Sequence, residues 1–136
     1  MKQGIQTNFP HEALRESGCY FFALLRWAEI LWGRSFEFSD ESIIFAFNYC
    51  VSRGWVEADC FVVNPVAILN YSLEEGRYKT VYKTIAAPQA NMFAVYLKKP
   101  GHGHFVLHHH GKIWDSLDPN RPGANDYSVD SYRVIA

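Results

Sequence analysis

The segment from Cys19 to Trp32 constrains the fold more than any other part of the chain. Its apolar side chains fall on nearly every face of a helix: Tyr20, Phe21, Phe22, Leu24, Leu25, Trp27, Ala28, Ile30, Leu31 and Trp32. A helix that is apolar all round has to be buried. We therefore predict a buried central helix over about residues 18–32, with Ser17 as its N-cap, Cys19 in its first turn and Gly33 just after its end.

Two further helices are indicated by the residues at their starts. Ser39, ahead of two acids, is a good N-cap for a helix that reaches to near Gly54. Asn64, ahead of a proline, predicts a short helix through about Tyr71. Residues 1–16 are expected to be irregular, because a proline at position 10 breaks any early helix.

The C-terminal half has the patterns of β-strands. Alternating or short apolar runs predict five strands: Tyr78 to Ile85, Met92 to Leu97, His104 to His108, Lys112 to Leu117, and Tyr132 to Ile135. Helices followed by strands predict an α+β fold, with N-terminal helices packed on a C-terminal antiparallel sheet. A chain of 136 residues fits a single domain with one core.

The charge balance and the cysteines limit the partners and the compartment. The formal net charge is −1, so electrostatics favour neither nucleic acid nor a membrane surface. We see neither a secretory signal nor an apolar run long enough to cross a bilayer. Three cysteines without an export signal indicate free thiols in a reducing compartment, so we expect a cytoplasmic protein. The oligomeric state is not indicated.

Cys19 is the candidate nucleophile. A cysteine reacts as its thiolate, and the start of a helix offers unpaired N–H groups and a partial positive charge that favour an anion. The same N–H groups can hold a developing oxyanion. Gly18 carries no side chain, which we interpret as room for a substrate to approach. The alternative is that Cys19 is a small core residue of a buried helix.

His104 is the candidate base, and two acids compete to orient it. A two-residue turn at His110 and Gly111 would place Asp115 on the same strand face as His104. A three-residue turn would instead pair His104 with Asp118. We prefer Asp115, because an Asp directly before a proline, as at position 118, is typical of a turn.

Three short runs then resemble a known superfamily. Gly-Cys-Tyr-Phe, His-Phe-Val-Leu and Trp-Asp-Ser-Leu resemble the papain-like cysteine peptidases, and are closest to small uncharacterised bacterial and phage proteins related to bacteriocin-processing peptidases. The resemblance implies one papain-like domain over residues 1–136. It also implies a hydrolase of peptide or amide substrates with a covalent thioester intermediate and no cofactor or metal. Its catalytic residues would be Cys19 as nucleophile, His104 as base and Asp115 as acid.

One departure from the superfamily leaves a second class of function open. Papain-like enzymes usually have a glutamine a few residues before the cysteine that stabilises the oxyanion. Here Gln3 and Gln6 lie farther back, so the donor is either of these or the backbone alone. The alternative is a catalytically inactive papain-like protein that binds peptides.

A zinc-dependent hydrolase is a more distant possibility. His102 and His104 share a strand face and could share an ion, whereas His108 is about 13 Å from His104 along a strand. Cys50 and Cys60 lack the spacing of zinc or redox motifs, so both are interpreted as core thiols.

Overall fold

In the part of the chain that the structure describes, four helices precede a five-stranded antiparallel sheet, which confirms the predicted α+β class. The computed structural model describes residues 1–33 and 37–136. The elements are α1 (Glu12–Ser17), α2 (Cys19–Trp32), α3 (Asp40–Ser52), α4 (Pro65–Ser72), β1 (Val81–Thr84), β2 (Met92–Lys99), β3 (His102–His109), β4 (Lys112–Trp114) and β5 (Ser128–Ile135). The strand order is β1-β5-β2-β3-β4, so β5 lies between β1 and β2.

The central helix is buried as predicted, but its cap is different. Phe21, Phe22 and Trp27 are completely inaccessible to solvent, and Gly33, just after the end of the helix, has a positive φ of 75°. Ser17 is the last residue of α1, and Gly18 caps α2 without a side-chain hydrogen bond. The predicted Ser17 cap is therefore wrong, because a short helix that the sequence did not indicate occupies residues 12–17.

The junction between α1 and α2 explains why position 18 is a glycine. A Cβ atom on Gly18 would lie 2.5 Å from the Leu14 carbonyl oxygen and 3.0 Å from the Leu14 Cα. The Gly18 N–H also donates to that oxygen at 2.9 Å. Gly18 is thus required by the close approach of two backbones, and our interpretation that it makes room for a substrate is wrong.

The starts of α3 and α4 follow the sequence signals. Ser39 Oγ accepts a hydrogen bond from the Ser42 N–H at 3.1 Å, and Asn64 Oδ1 accepts one from the Ala67 N–H at 3.1 Å. Pro65 occupies the first turn of α4, where its missing N–H costs nothing. These caps fix the two helices that pack beside α2.

The first strand is shorter than predicted for a local reason. Tyr78 exchanges both of its backbone hydrogen bonds with the Asn70 side chain, at 2.7 Å and 3.2 Å. The backbone of Tyr78 therefore pairs with α4 rather than with a neighbouring strand. Regular pairing begins at Val81, opposite Ile135, and continues to Thr84, opposite Tyr132.

The β3–β4 hairpin has the two-residue turn that favoured Asp115. His109 pairs with Lys112, and between them His110 and Gly111 have φ values of 49° and 78°. Positive φ at both central residues is the signature of a type I′ turn, which matches the twist of the two strands.

The N-terminal segment runs beside the residues that follow β4. The Gly4 N–H donates to the Asp115 carbonyl oxygen at 3.0 Å, and the Gln6 N–H donates to the Ser116 carbonyl oxygen at 2.8 Å. These bonds fix Asp115 although β4 ends one residue before it. Across residues 1–33 and 37–136, no helix has the length and apolar character needed to cross a bilayer.

Candidate active site

His104 and Asp115 form a short, buried hydrogen bond. His104 Nε2 lies 2.6 Å from Asp115 Oδ1, and the two residues are only 2% and 9% exposed. The hairpin turn sets this pairing, since Asp115 follows Trp114, which lies opposite Leu107 on β3. Asp118 does not take this place, because its Oδ1 accepts the Asn120 N–H at 2.9 Å in a turn of the following loop.

Two further donors hold the Asp115 carboxylate. The Leu117 N–H donates to Oδ1 at 2.9 Å, and Arg121 Nη1 donates to Oδ2 at 3.2 Å. Burial by itself would raise the pKa of Asp115. The hydrogen bond and charge of His104, with the bonds from Leu117 and Arg121, outweigh burial and hold that pKa below its ordinary value. Asp115 is therefore ionised at neutral pH.

Cys19 is the second partner of the His104 ring. Burial by itself would lower the pKa of His104, but hydrogen bonds and charge from Asp115 and Cys19 raise it from 6.5 to about 9. Because Asp115 binds Nε2, Nδ1 is the ring nitrogen left for the sulfur. The structure therefore brings the three residues singled out in the sequence into one connected group.

Cys19 also lines a cleft of about 670 Å³ between the helices and the sheet. Tyr20, the next residue of α2, stacks on Phe105 of β3 with ring centroids 3.9 Å apart and planes 10° from parallel. Lys83 and Arg133 line the cleft from β1 and β5. The sulfur is thus the member of the group that a molecule in the cleft would meet.

The comparisons with known proteins identify a family. A family model described as a protein of unknown function, DUF261, matches residues 1–136. The chain belongs to the DUF261 family. No curated protein and no solved structure matches it.

In this DUF261 chain, the two glutamines considered as oxyanion donors lie outside the cleft lining. Gln6 is buried, with its Nε2 donating to the Arg15 carbonyl oxygen at 3.1 Å and its Oε1 accepting from Ser116 Oγ at 2.6 Å. Gln3 is exposed. Neither is among the described residues that line the cleft, which leaves the first N–H groups of α2 as the donors nearest to Cys19.

The other two cysteines have different surroundings. Cys50 is fully buried within α3, and burial raises the pKa of its thiol to about 12. Cys60 is also buried, but it lines the cleft, has a φ of 73° and donates from Sγ to the Ala13 carbonyl oxygen at 3.2 Å. Burial, with the charges of Asp59 and Cys19, raises the pKa of Cys60 to about 12. Both thiols therefore stay protonated at neutral pH.

The histidines form no metal-binding cluster in the described chain. Over residues 1–33 and 37–136, no three His, Cys, Asp or Glu side chains come together in a way that could hold a metal ion. His102 is exposed at the start of β3, and His109 and His110 pack against each other at the hairpin tip. The zinc hypothesis thus finds no three-ligand site in this part of the chain.

Three residues of the site were missed from the sequence. Arg121, which binds Asp115, lies in a loop that carries no periodic pattern. The Tyr127 ring, 6.0 Å from the His104 ring, also comes from that loop. Arg133 was placed in a strand without a role. A charged residue in an otherwise apolar strand was the one available signal that it lines a cleft.

Proposed function

We propose that this chain is a papain-like cysteine hydrolase that acts on a peptide or another amide-containing substrate. The observation that carries the proposal is that one imidazole contacts both other members of the group. His104 bonds to Asp115 at 2.6 Å, and its interaction with Cys19, at the first turn of a buried helix, helps to raise the pKa of His104. A thiol, an imidazole and an acid in this order are the parts that a cysteine nucleophile needs.

The charge of His104 suits a role beside a cysteine nucleophile. With a pKa of about 9, His104 carries a proton at neutral pH. An imidazolium beside a thiol favours the thiolate, which is the attacking species. Asp115 fixes the orientation of the ring and stabilises its positive charge.

The reaction has two halves. The Cys19 sulfur forms a bond to the substrate carbonyl carbon, and first-turn N–H groups of α2 stabilise the oxyanion. The C–N bond breaks as His104 gives its proton to the leaving nitrogen, which leaves a thioester on Cys19. A water molecule then gives a proton to His104 and attacks the thioester carbonyl. The C–S bond breaks, and the acid product leaves.

Hydrolysis of an activated thioester by matched cysteine variants tests the proposal. We expect turnover by the natural chain and by Cys50→Ala, and none above background by Cys19→Ala. Cys50 is the matched control, because it is a buried cysteine that lies outside the cleft. Turnover that survives in Cys19→Ala, or is absent from the folded natural chain, would count against a hydrolase.

A peptide-binding protein without catalysis is the second candidate. It is favoured by the positions of Gln3 and Gln6, neither of which lines the cleft. The oxyanion then depends on backbone donors alone, and losing one such donor typically costs about 10²–10³ in rate. Peptide binding by a natural chain that shows no turnover supports this candidate over the first.

A further inference from the structure

We propose that the cleft beside Cys19 selects substrates that carry a carboxylate, which Lys83 and Arg133 bind together. This inference rests on the proposed function, because only a hydrolase has substrates to select. The binding step itself needs only the cleft and the two cations. It can therefore be tested whether or not the chain hydrolyses anything.

The two cations are direct neighbours on the sheet. β1 and β5 pair in an antiparallel register that places Lys83 opposite Arg133, and both residues line the cleft. Residues directly opposite on adjacent strands have Cβ atoms about 5 Å apart, so like charges there repel each other. An anion placed between the two side chains would be attracted by both cations, and these two attractions would offset the repulsion.

Neither cation has an anionic partner within the described chain. Over residues 1–33 and 37–136, the ion pairs involve other cations, such as Lys98 with Asp130 at 3.8 Å and Arg121 with Asp115 at 3.2 Å. Arg133 Nη1 instead donates to neutral oxygens, Ser131 Oγ at 2.8 Å and the Tyr132 carbonyl at 3.2 Å. A guanidinium has five N–H donors, so it retains some for a ligand.

Aromatic rings hold the guanidinium in the cleft that Cys19 also lines. Arg133 lies over Phe105, 5.4 Å from the ring centroid, and over Tyr96 at 5.8 Å. Tyr20, which follows Cys19, stacks on the same Phe105 ring. Burial raises the pKa of Tyr20 to about 12 despite the opposing effect of Arg133, so its hydroxyl is neutral and leaves the charge of Arg133 uncompensated.

The remaining charge in the cleft lies on another element. Asp59 comes from the loop before α4, not from the sheet, and its Oδ1 accepts the Phe61 N–H at 3.1 Å. A carboxylate is therefore attracted to the sheet side of the cleft and repelled from the loop side. Because Cys19, Lys83 and Arg133 line the same cleft, the carboxylate belongs on the part of the substrate that lies in the cleft with the bond that Cys19 attacks.

The test compares two thiol reagents of similar size at Cys19. One is a maleimide that carries a propionate, and the other is the corresponding uncharged propionamide. We expect the propionate reagent to label Cys19 up to about tenfold faster at low salt, as two partly exposed cations would produce. The ratio of the two rates should fall towards one in Lys83→Gln, in Arg133→Gln and in the double variant.

Control variants separate a local effect from net charge. Lys112→Gln and Arg53→Gln remove the same charges outside the cleft lining and should leave the ratio unchanged. An equal fall in the controls, or a ratio near one in the natural chain, overturns the proposal. Lys83 is exposed, so Lys83→Gln remains informative even if Arg133→Gln does not fold. Labelling needs only a thiol, so a chain without hydrolytic turnover gives the same readout.

Protection experiments then distinguish the two sources of a carboxylate. Peptides with an internal Glu and an amidated end are compared with Gln peptides that have a free C-terminal carboxylate, each as a competitor of the uncharged reagent. Protection by the first set identifies an acidic side chain, and protection by the second identifies a chain end. Protection by an amidated Gln peptide alone contradicts the inference.

Discussion

Two buried carboxylates in this molecule have similar sets of donors but different connections. Glu29, in α2, accepts from the Met1 amino group at 2.8 Å and 3.0 Å, from Arg26 at 3.2 Å and from the Phe38 N–H at 2.8 Å. Asp115 accepts from His104, the Leu117 N–H and Arg121. Each carboxylate is therefore well satisfied.

The difference lies in what the partners contact next. The donors around Glu29 are an amino group, a guanidinium and a backbone N–H, and the Glu29 side chain is 1% exposed. The main donor to Asp115 is an imidazole that also contacts Cys19, and Cys19 lines a cleft. Burial and hydrogen bonding alone thus do not mark a reactive site. A reactive site is marked by a titratable partner that also contacts an accessible nucleophile.

Removing the imidazole should have the largest effect on reactivity. We expect His104→Ala to lower the rate at which an uncharged maleimide labels Cys19 by about tenfold to thirtyfold, because the thiol loses the neighbouring charge and an ordinary free thiol is only about 3% thiolate at neutral pH. The measurement is the labelling rate of Cys19 at neutral pH, resolved by peptide mapping. His102→Ala, an exposed histidine on the same strand, is the control and should label normally. Equal rates in the two variants would mean that His104 does not activate the thiol.

Removing the other carboxylate should change stability and leave reactivity intact. Glu29→Gln leaves a buried amino group without its buried charged partner, so we expect the free energy of unfolding to fall by about 3 kcal/mol. The matched control is Glu37→Gln, because the Glu37 side chain contacts the same amino group at 3.2 Å but is 68% exposed. Its effect should stay below about 1 kcal/mol.

Denaturant unfolding measures the Glu29→Gln and Glu37→Gln variants, and Cys19 labelling is followed in parallel. A Glu29→Gln protein that is folded but labels slowly would contradict the separation of the two regions.

The contrast also shows which parts of the site the sequence could predict. The helix was predictable because apolar residues on every face leave burial as the only option. The His104–Asp115 pair was predictable because a His-Gly turn of two residues fixes which side chains share a strand face. These signals are local, or depend on one register.

The missed features depend on contacts between distant segments. α1 was missed because it is six residues long and is capped by His11, whose Nδ1 accepts the Leu14 N–H at 3.4 Å, rather than by a usual capping residue. β4 ends early because Gly4 and Gln6 bind the backbone of the two residues after it. Arg121 reaches Asp115 from a loop. Contacts between segments that are far apart in the sequence leave no periodic pattern in it.

The pH dependence of stability should separate the contribution of His104 from that of Asp115. The raised pKa of His104 means that its interactions stabilise the fold fully below its ordinary pKa of 6.5 and are lost as the pH rises through about 9. The lowered pKa of Asp115 has the opposite sign, and its contribution is lost only as the pH falls below its ordinary value of 3.8. We expect the free energy of unfolding to decline by at most about 3 kcal/mol as the pH rises from 6.5 to about 9.

The measurement is denaturant unfolding across pH 5 to 10. His104→Gln should have a flatter profile over this range, whatever its absolute stability, because it lacks the titrating group. A decline of the same size in His104→Gln would assign it to another group and would separate His104 from the stability of the site.

The smallest expected effect concerns how Cys19 is positioned. A methyl group at Gly18 would meet the Leu14 carbonyl oxygen at 2.5 Å, so the end of α1 or the start of α2 has to shift. We expect Gly18→Ala to cost about 1–3 kcal/mol of unfolding free energy and to slow Cys19 labelling, because the thiol moves relative to His104. The control is Gly76→Ala, where an added Cβ meets nothing within 4 Å. Normal labelling in a destabilised Gly18→Ala protein would show that this junction supports the fold without positioning the nucleophile.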